Sequence, residues 1–141
     1  MESIKTFSQN LKREKELSGI SILELADKCG YCPQAVFDTL NGVRNPRLNT
    51  AVCIAEVLNC SMDALLEHCG MRYYTEKQTP SERLKELRHK KKISIKKLSE
   101  KAGVLQNTIW RFENNKHDIS LGGLMKLAKV LDFSIDWLVG K

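Results

Sequence analysis

Apolar residues recur along this chain at spacings of three and four, and small polar residues interrupt them where helices would begin. The longest stripe, Leu124, Leu127, Ala128 and Leu131, follows Ser120, a good N-cap. Upstream, Thr79-Pro80-Ser81-Glu82 offers an N-cap, a proline at the first helical position and a capping-box glutamate. These predict a helix through Leu84, Leu87 and Arg88. Ser94 predicts a second helix, with Leu98 turned inward and Gly103 as its C-cap. A third runs from about Leu105 to Asn114, with Ile109 and Phe112 three apart, and Ser134 opens a short fifth through Ile135, Trp137 and Leu138. Hairpin signals and period-two runs are missing, so the expected fold class is all-α.

The same pattern occurs twice. Shifting the sequence on itself by 73 aligns Leu11–Leu66 with the second half without gaps. Ile20-Ser21-Ile22 falls on Ile93-Ser94-Ile95, Leu25 on Leu98, Gly30 on Gly103, Asn41 on Asn114 and Val57-Leu58 on Val130-Leu131. The matches are core and cap positions, whereas Leu23-Glu24 against Lys96-Lys97 shows how freely the others vary. In the first copy Ser21 and Glu24 form the capping box and Pro33 opens helix three. Two five-helix domains are expected, 1–67 and 79–141, joined by a polar connector at 68–78 that carries Tyr73-Tyr74.

A length of 141 residues suits two such small domains, and 42% hydrophobic residues excludes a disordered chain. Neither a membrane-length apolar run nor a signal-peptide core is present, so a soluble cytoplasmic protein is expected. The net charge of +6 is unevenly placed. Residues 1–70 carry seven Lys/Arg against nine Asp/Glu, and residues 71–141 carry sixteen against eight. All the basic excess therefore lies in the second copy, which points to a polyanion partner there and another task for the first copy.

Helices two and three of each copy are separated by a few residues around a glycine, the spacing at which one helix crosses a DNA backbone and the next enters the major groove. The stretch LKELRHKKKISIKKLSEKAGVLQNTIWRFENNKHDISLGGLMKLAKVLDFSIDWL resembles the Cro/cI-repressor type (XRE) helix-turn-helix domain along its length. So does SILELADKCGYCPQAVFDTLNGVRNPRLNTAVCIAEVLNCSMDALL in the first copy. The resemblance implies two tandem lambda-repressor-like DNA-binding domains, double-stranded DNA as the partner, and a transcriptional regulator, read here as a repressor.

The resemblance carries base reading onto Gln106, Asn107, Thr108 and Arg111. Independently, Gln and Asn can pair with adenine, and Arg with guanine or phosphate. It also assigns phosphate contacts to Ser94, Asn114 and Lys116, and a free helix N-terminus at Ser94 agrees. Trp110 would lie beside them. Arg88 and Glu113 match a pair that forms a salt bridge beneath helix three in relatives; the first copy has Lys15 and Leu40 there. The chain departs from the family at Ile95 and Ile22, where a phosphate-binding Gln is common, and at Asn115, where a small residue is usual and the first copy keeps Gly42. The first copy makes a poorer reader, because Asp38 stands where the second has Arg111. Gln34, Arg44 and Arg47 are its candidate secondary DNA contacts; otherwise the first copy is expected to serve as a dimerisation or regulatory module.

The run Arg88-His89-Lys90-Lys91-Lys92 suits either a helix end or phosphate. Cys29-Gly30-Tyr31-Cys32 is a C-x-x-C, but Cys29 and Cys60 fall at apolar positions of the repeat, which favours buried free thiols over metal or redox chemistry. No catalytic motif joins His68, His89 or His117 to a partner, so neither enzyme activity, cofactor nor metal is expected. A homodimer or an internal pseudo-dimer would engage two half-sites about 34 Å apart. The connector reaches that far only when nearly taut. The apolar C-terminal helix with Trp137, Leu138 and Val139 offers a pairing surface, with Trp137 as plain core the alternative. An alternative is a protein-interaction adaptor or antitoxin-like module, favoured by the acidic first copy with Tyr31 and Phe37 near its helix three.

Overall fold

A computed structural model describes residues 2–140, with side chains from Ile4 onward. The chain divides into two compact units, the first ending at His68 and the second beginning at Cys69. Unit one holds α1 (Glu2–Ser18), α2 (Ile22–Cys29), α3 (Pro33–Leu40), α4 (Leu48–Val57) and α5 (Met62–Leu66). Unit two holds α6 (Pro80–Lys90), α7 (Ile95–Ala102), α8 (Gln106–Glu113), α9 (Leu121–Leu131) and α10 (Ile135–Leu138). The fold is all-α, two tandem five-helix domains, with one isolated bridge, Met71 to Phe133, among the described residues.

Helix starts follow the side-chain caps. The hydroxyls of Ser21, Ser61, Thr79, Ser94, Ser120 and Ser134 accept the backbone N–H three residues on, which satisfies a donor that the first turn leaves open. Gly30 and Gly103 close α2 and α7 at φ 74 and φ 72, in the left-handed region that glycine enters without strain. Asn115 takes φ 57 where unit one has Gly42 at φ 71, so the departure at that position preserves the turn.

The repeat is also a repeat of cores. Leu11, Leu25, Val36, Leu48, Ile54, Met62 and Leu65 are buried in unit one, as are Leu84, Leu98, Ile109, Leu121, Leu127, Ile135 and Leu138, their counterparts, in unit two. Burying such side chains contributes about 1.5–3 kcal/mol each, so these positions hold the helices in register. The copies differ at their entrances. In unit one the long α1 supplies Ile4 and Phe7 to the core.

In unit two that place is taken by an extended strap, and here the structure corrects the sequence reading of 68–78 as a polar connector. Ser134 N–H donates to Met71 O at 2.9 Å. Tyr73 hydroxyl donates to Asp132 O at 2.7 Å, and Trp137 Nε1 donates to Tyr73 O at 2.6 Å. Tyr73 and Trp137 also stack edge to face at 5.4 Å between centroids. A Cβ on Gly70 would lie 2.3 Å from Phe133 O, so only glycine lets the strap approach this closely. Further along, Thr75 hydroxyl donates to Glu86, and this bond, with Lys90 nearby, holds the Glu86 carboxyl below its usual range.

Two expectations change as a result. The connector is not a free tether, so stretching it across two half-sites would first strip the strap from unit two. The C-terminal helix is not an open pairing surface either, because Leu138 is 0% and Trp137 is 7% exposed. Trp137 is core, covered by the strap.

Candidate nucleic-acid interface

The sequence of α8 divides its side chains cleanly. Ile109, Phe112 and Glu113 turn inward, whereas Gln106, Asn107, Trp110 and Arg111 are exposed and Thr108 is half-buried. Leu105, at the N-cap, is 75% exposed and Trp110 47%. The α8 start therefore presents amide side chains and two apolar groups outward, with Arg111 one turn later.

Elements around α8 bring in positive charge. Lys96 and Lys97, in the first turn of α7, are exposed beside the N-cap Ser94, whose hydroxyl accepts Lys97 N–H at 3.1 Å. Lys116 N–H donates to Arg111 O at 2.8 Å, so the loop after α8 folds back on its last turn with the exposed Lys116 side chain beside it. Asn114 acts as the C-cap of α8, donating its amide to Trp110 O at 2.8 Å.

Beneath α8 lies a buried ion pair. Arg88 Nε and Nη2 donate to the two Glu113 carboxylate oxygens at 2.7 and 2.9 Å, and Nη1 donates to Ile93 O at 3.0 Å. The two side chains are 10% and 1% exposed. This fork ties α6 to the last turn of α8 and fixes the angle at which α8 presents its outer face. The match at Arg88 and Glu113 is thus realised as a contact.

The basic run that begins at Arg88 is largely occupied within the unit. Lys90 pairs with Glu86 at 3.4 Å, and Lys91 lies 5.5 Å from the centroid of the Tyr73 ring. The helix-end and packing reading accounts for Arg88, Lys90 and Lys91.

In unit one the corresponding helix, α3, carries Gln34, Phe37 and Asn41 along its exposed side. Asp38 accepts from Gln34 Nε2 at 2.9 Å and pairs with Arg44 at 3.9 Å. Two of the three secondary contacts read from the sequence, Gln34 and Arg44, are therefore bound to an acid; Arg47, the N-cap of α4, is exposed.

The thiols give no metal site: no group of three or more His, Cys, Asp or Glu side chains among the described residues could hold an ion. Cys29, Cys53 and Cys60 are half-buried, so the expected core burial is only partial, and Cys32 and Cys69 are exposed. Burial, and then the neighbouring Cys53, push the Cys29 thiol from 9.0 up to about 12. A thiol whose folded pKa is raised favours folding while it stays protonated, so its contribution falls as pH rises above 9.0 towards 12. In timed alkylation of the folded protein at mildly alkaline pH, read by mass spectrometry, Cys32 and Cys69 should label first and Cys29 late. Early labelling of Cys29 would contradict its burial.

The paired arrangement of α2–α3 and α7–α8 defines a tandem helix-turn-helix protein. A helix-turn-helix family model matches the chain twice, at residues 11–65 and 84–138. The chain belongs to the Cro/cI-like (XRE) helix-turn-helix family, a family of DNA-binding transcription regulators. Among curated proteins and solved structures the chain has no match. No helix of the described residues is long and apolar enough to cross a membrane.

Proposed function

We propose that this chain is a sequence-specific regulator, acting as a repressor, in which unit two is the main reader of double-stranded DNA. The observation that carries this reading is the contrast between equivalent helices. The outer face of α8 offers Gln106, Asn107 and Arg111 among exposed lysines, whereas α3 offers Phe37 and an occupied Asp38. Gln106 and Asn107 suit adenine edges, and Thr108 supports them at the groove wall. Arg111 takes guanine or phosphate. Ser94, with the open N–H groups of the α7 start, and Lys116 hold the backbone on either side. Asn114 has one amide hydrogen left for phosphate after capping α8. Two chains, paired as a homodimer, would engage two half-sites about one turn apart, and repression would follow from occupying the operator.

Replacing Lys116 with alanine tests the phosphate role. Affinity should fall by a similar factor for every duplex, and the slope of log affinity against log salt should shrink by about one. Titrations at several salt concentrations on the preferred site and on a scrambled duplex read both quantities. A loss confined to the preferred site would place Lys116 on a base instead.

A further inference from the structure

Three exposed apolar side chains of unit one stand where unit two has lysines. Leu17 is the counterpart of Lys90, Leu23 of Lys96 and Val43 of Lys116, at 75%, 70% and 75% exposed. Phe37, 45% exposed, stands in place of Trp110, next to Asp38 in place of Arg111. Single exposed apolar groups are ordinary on a protein surface. Here Leu23 lies at the start of α2, Phe37 on the outer side of α3 and Val43 in the loop after it, the three places from which a helix-turn-helix meets its ligand. Val43 N–H donates to Asp38 O at 3.0 Å, which sets the loop against the end of α3.

The exchanges at Leu23 and Val43 each remove a cation from that face, which weakens its hold on phosphate and lowers the cost of taking it out of water. From Ser21 to Arg47 the bases Lys28, Arg44 and Arg47 balance the acids Glu24, Asp27 and Asp38. From Ser94 to Ser120 the cations Lys96, Lys97, Lys101, Arg111 and Lys116 face Glu100 and Asp118 alone, since Glu113 is taken by Arg88. A segment of zero net charge that carries both signs meets its own copy without net repulsion. Asp38 is held by Arg44 within its own copy, but the exposed Glu24 and Asp27 of one copy can meet the exposed Lys28 of the other in an isologous pair. A strongly acidic or strongly basic partner gains nothing from such a balance. The other pairing surface, the C-terminal helix, is sealed by the strap.

We propose that the helix-turn-helix face of unit one, centred on Leu23, Phe37 and Val43, is the surface through which two copies of this chain form a symmetric dimer. Its use in operator binding rests on the reading of unit two as the DNA reader. The two domains divide pairing and reading between them.

Sedimentation equilibrium of the full chain tests this directly. The wild type should dimerise in the micromolar range. Leu23→Lys with Val43→Lys, which installs the residues unit two already carries, should weaken the dimer at least about tenfold, and so should Phe37→Ala. Leu105→Ala and Trp110→Ala, apolar truncations in unit two, should leave it unchanged. Far-ultraviolet circular dichroism checks that each variant keeps its helices. On DNA, the unit-one variants should bind a single half-site as the wild type does and lose the advantage of paired half-sites. A monomeric wild type, or dimers equally tight in the unit-one variants, overturns the proposal. If no half-site is bound by any form, the DNA reading fails while the sedimentation result still decides the interface.

Discussion

Arg88→Ala should destabilise unit two by about 3–5 kcal/mol, among the largest effects expected of a single exchange in this chain. The substitution leaves the Glu113 carboxylate, 1% exposed, without the fork that solvates it. It also removes the Arg88 Nη1 donor from Ile93 O. Both tryptophans, Trp110 and Trp137, lie in unit two, so urea unfolding followed by tryptophan fluorescence reports that unit selectively. The repeat itself supplies the control. Unit one holds Lys15 and Leu40 at the matching positions, with Leu40 3% exposed. The double exchange Arg88→Lys with Glu113→Leu should therefore regain most of the loss, because an apolar residue needs no partner there. A single-variant loss below about 1 kcal/mol would mean that the pair is hydrated and does not position α8.

Gln106→Ala should cost about 1–3 kcal/mol on the preferred duplex, which is roughly 5- to 150-fold in affinity, and almost nothing on a scrambled one. A bidentate pair to adenine is lost whole when the amide goes, and the change should relax preference at one base position only. Arg111→Ala separates two roles by the same comparison. If Arg111 reads guanine, the loss is confined to one position of the preferred site. If it holds phosphate, every duplex weakens alike and the salt slope shrinks. Competition titrations against duplexes changed one base pair at a time read both outcomes. If both variants leave affinity and preference untouched, α8 is not the reading helix.

Helix count and order were legible, as were the helix starts that a side-chain hydroxyl caps, because each rests on local chemistry; the start of α1 at Glu2 was not. Ser21, Thr79, Ser94, Ser120 and Ser134 announce helix starts by what their own hydroxyls can bond, and the repeat offset doubles the evidence for every core position. The pair of Arg88 and Glu113 was legible only through the family resemblance, since no local rule links residues 25 positions apart. The strap was not legible. Its anchors are backbone carbonyls at Met71 and Tyr73 meeting Ser134 and Trp137, and a sequence shows no register for an extended segment that pairs at one point. Tyr73 and Tyr74 in an otherwise polar stretch were the available signal, together with Gly70 at the close approach to Phe133. Trp137 stood open between core and pairing surface in the sequence, because the cover that decides it is the strap.

Within the interface, the exposed set on α8 was legible from helical spacing, since the inward Ile109 and Phe112 fix which residues face out. The occupation of Gln34 and Arg44 by Asp38 was not, because it depends on rotamers rather than on residue type. The same holds for Lys91 over the Tyr73 ring.

The central claim is that unit two reads and unit one pairs. Selection from a random duplex library tests it most directly, with the full chain, with Gln106→Ala/Asn107→Ala and with Gln34→Ala/Arg44→Ala. The wild type should enrich a half-site repeated about one turn apart, the unit-one variant the same half-site sequence, and the α8 variant should lose or shift it. Enrichment of two unlike half-sites, one of them lost with Gln34 and Arg44, would show both units reading bases and contradict the account.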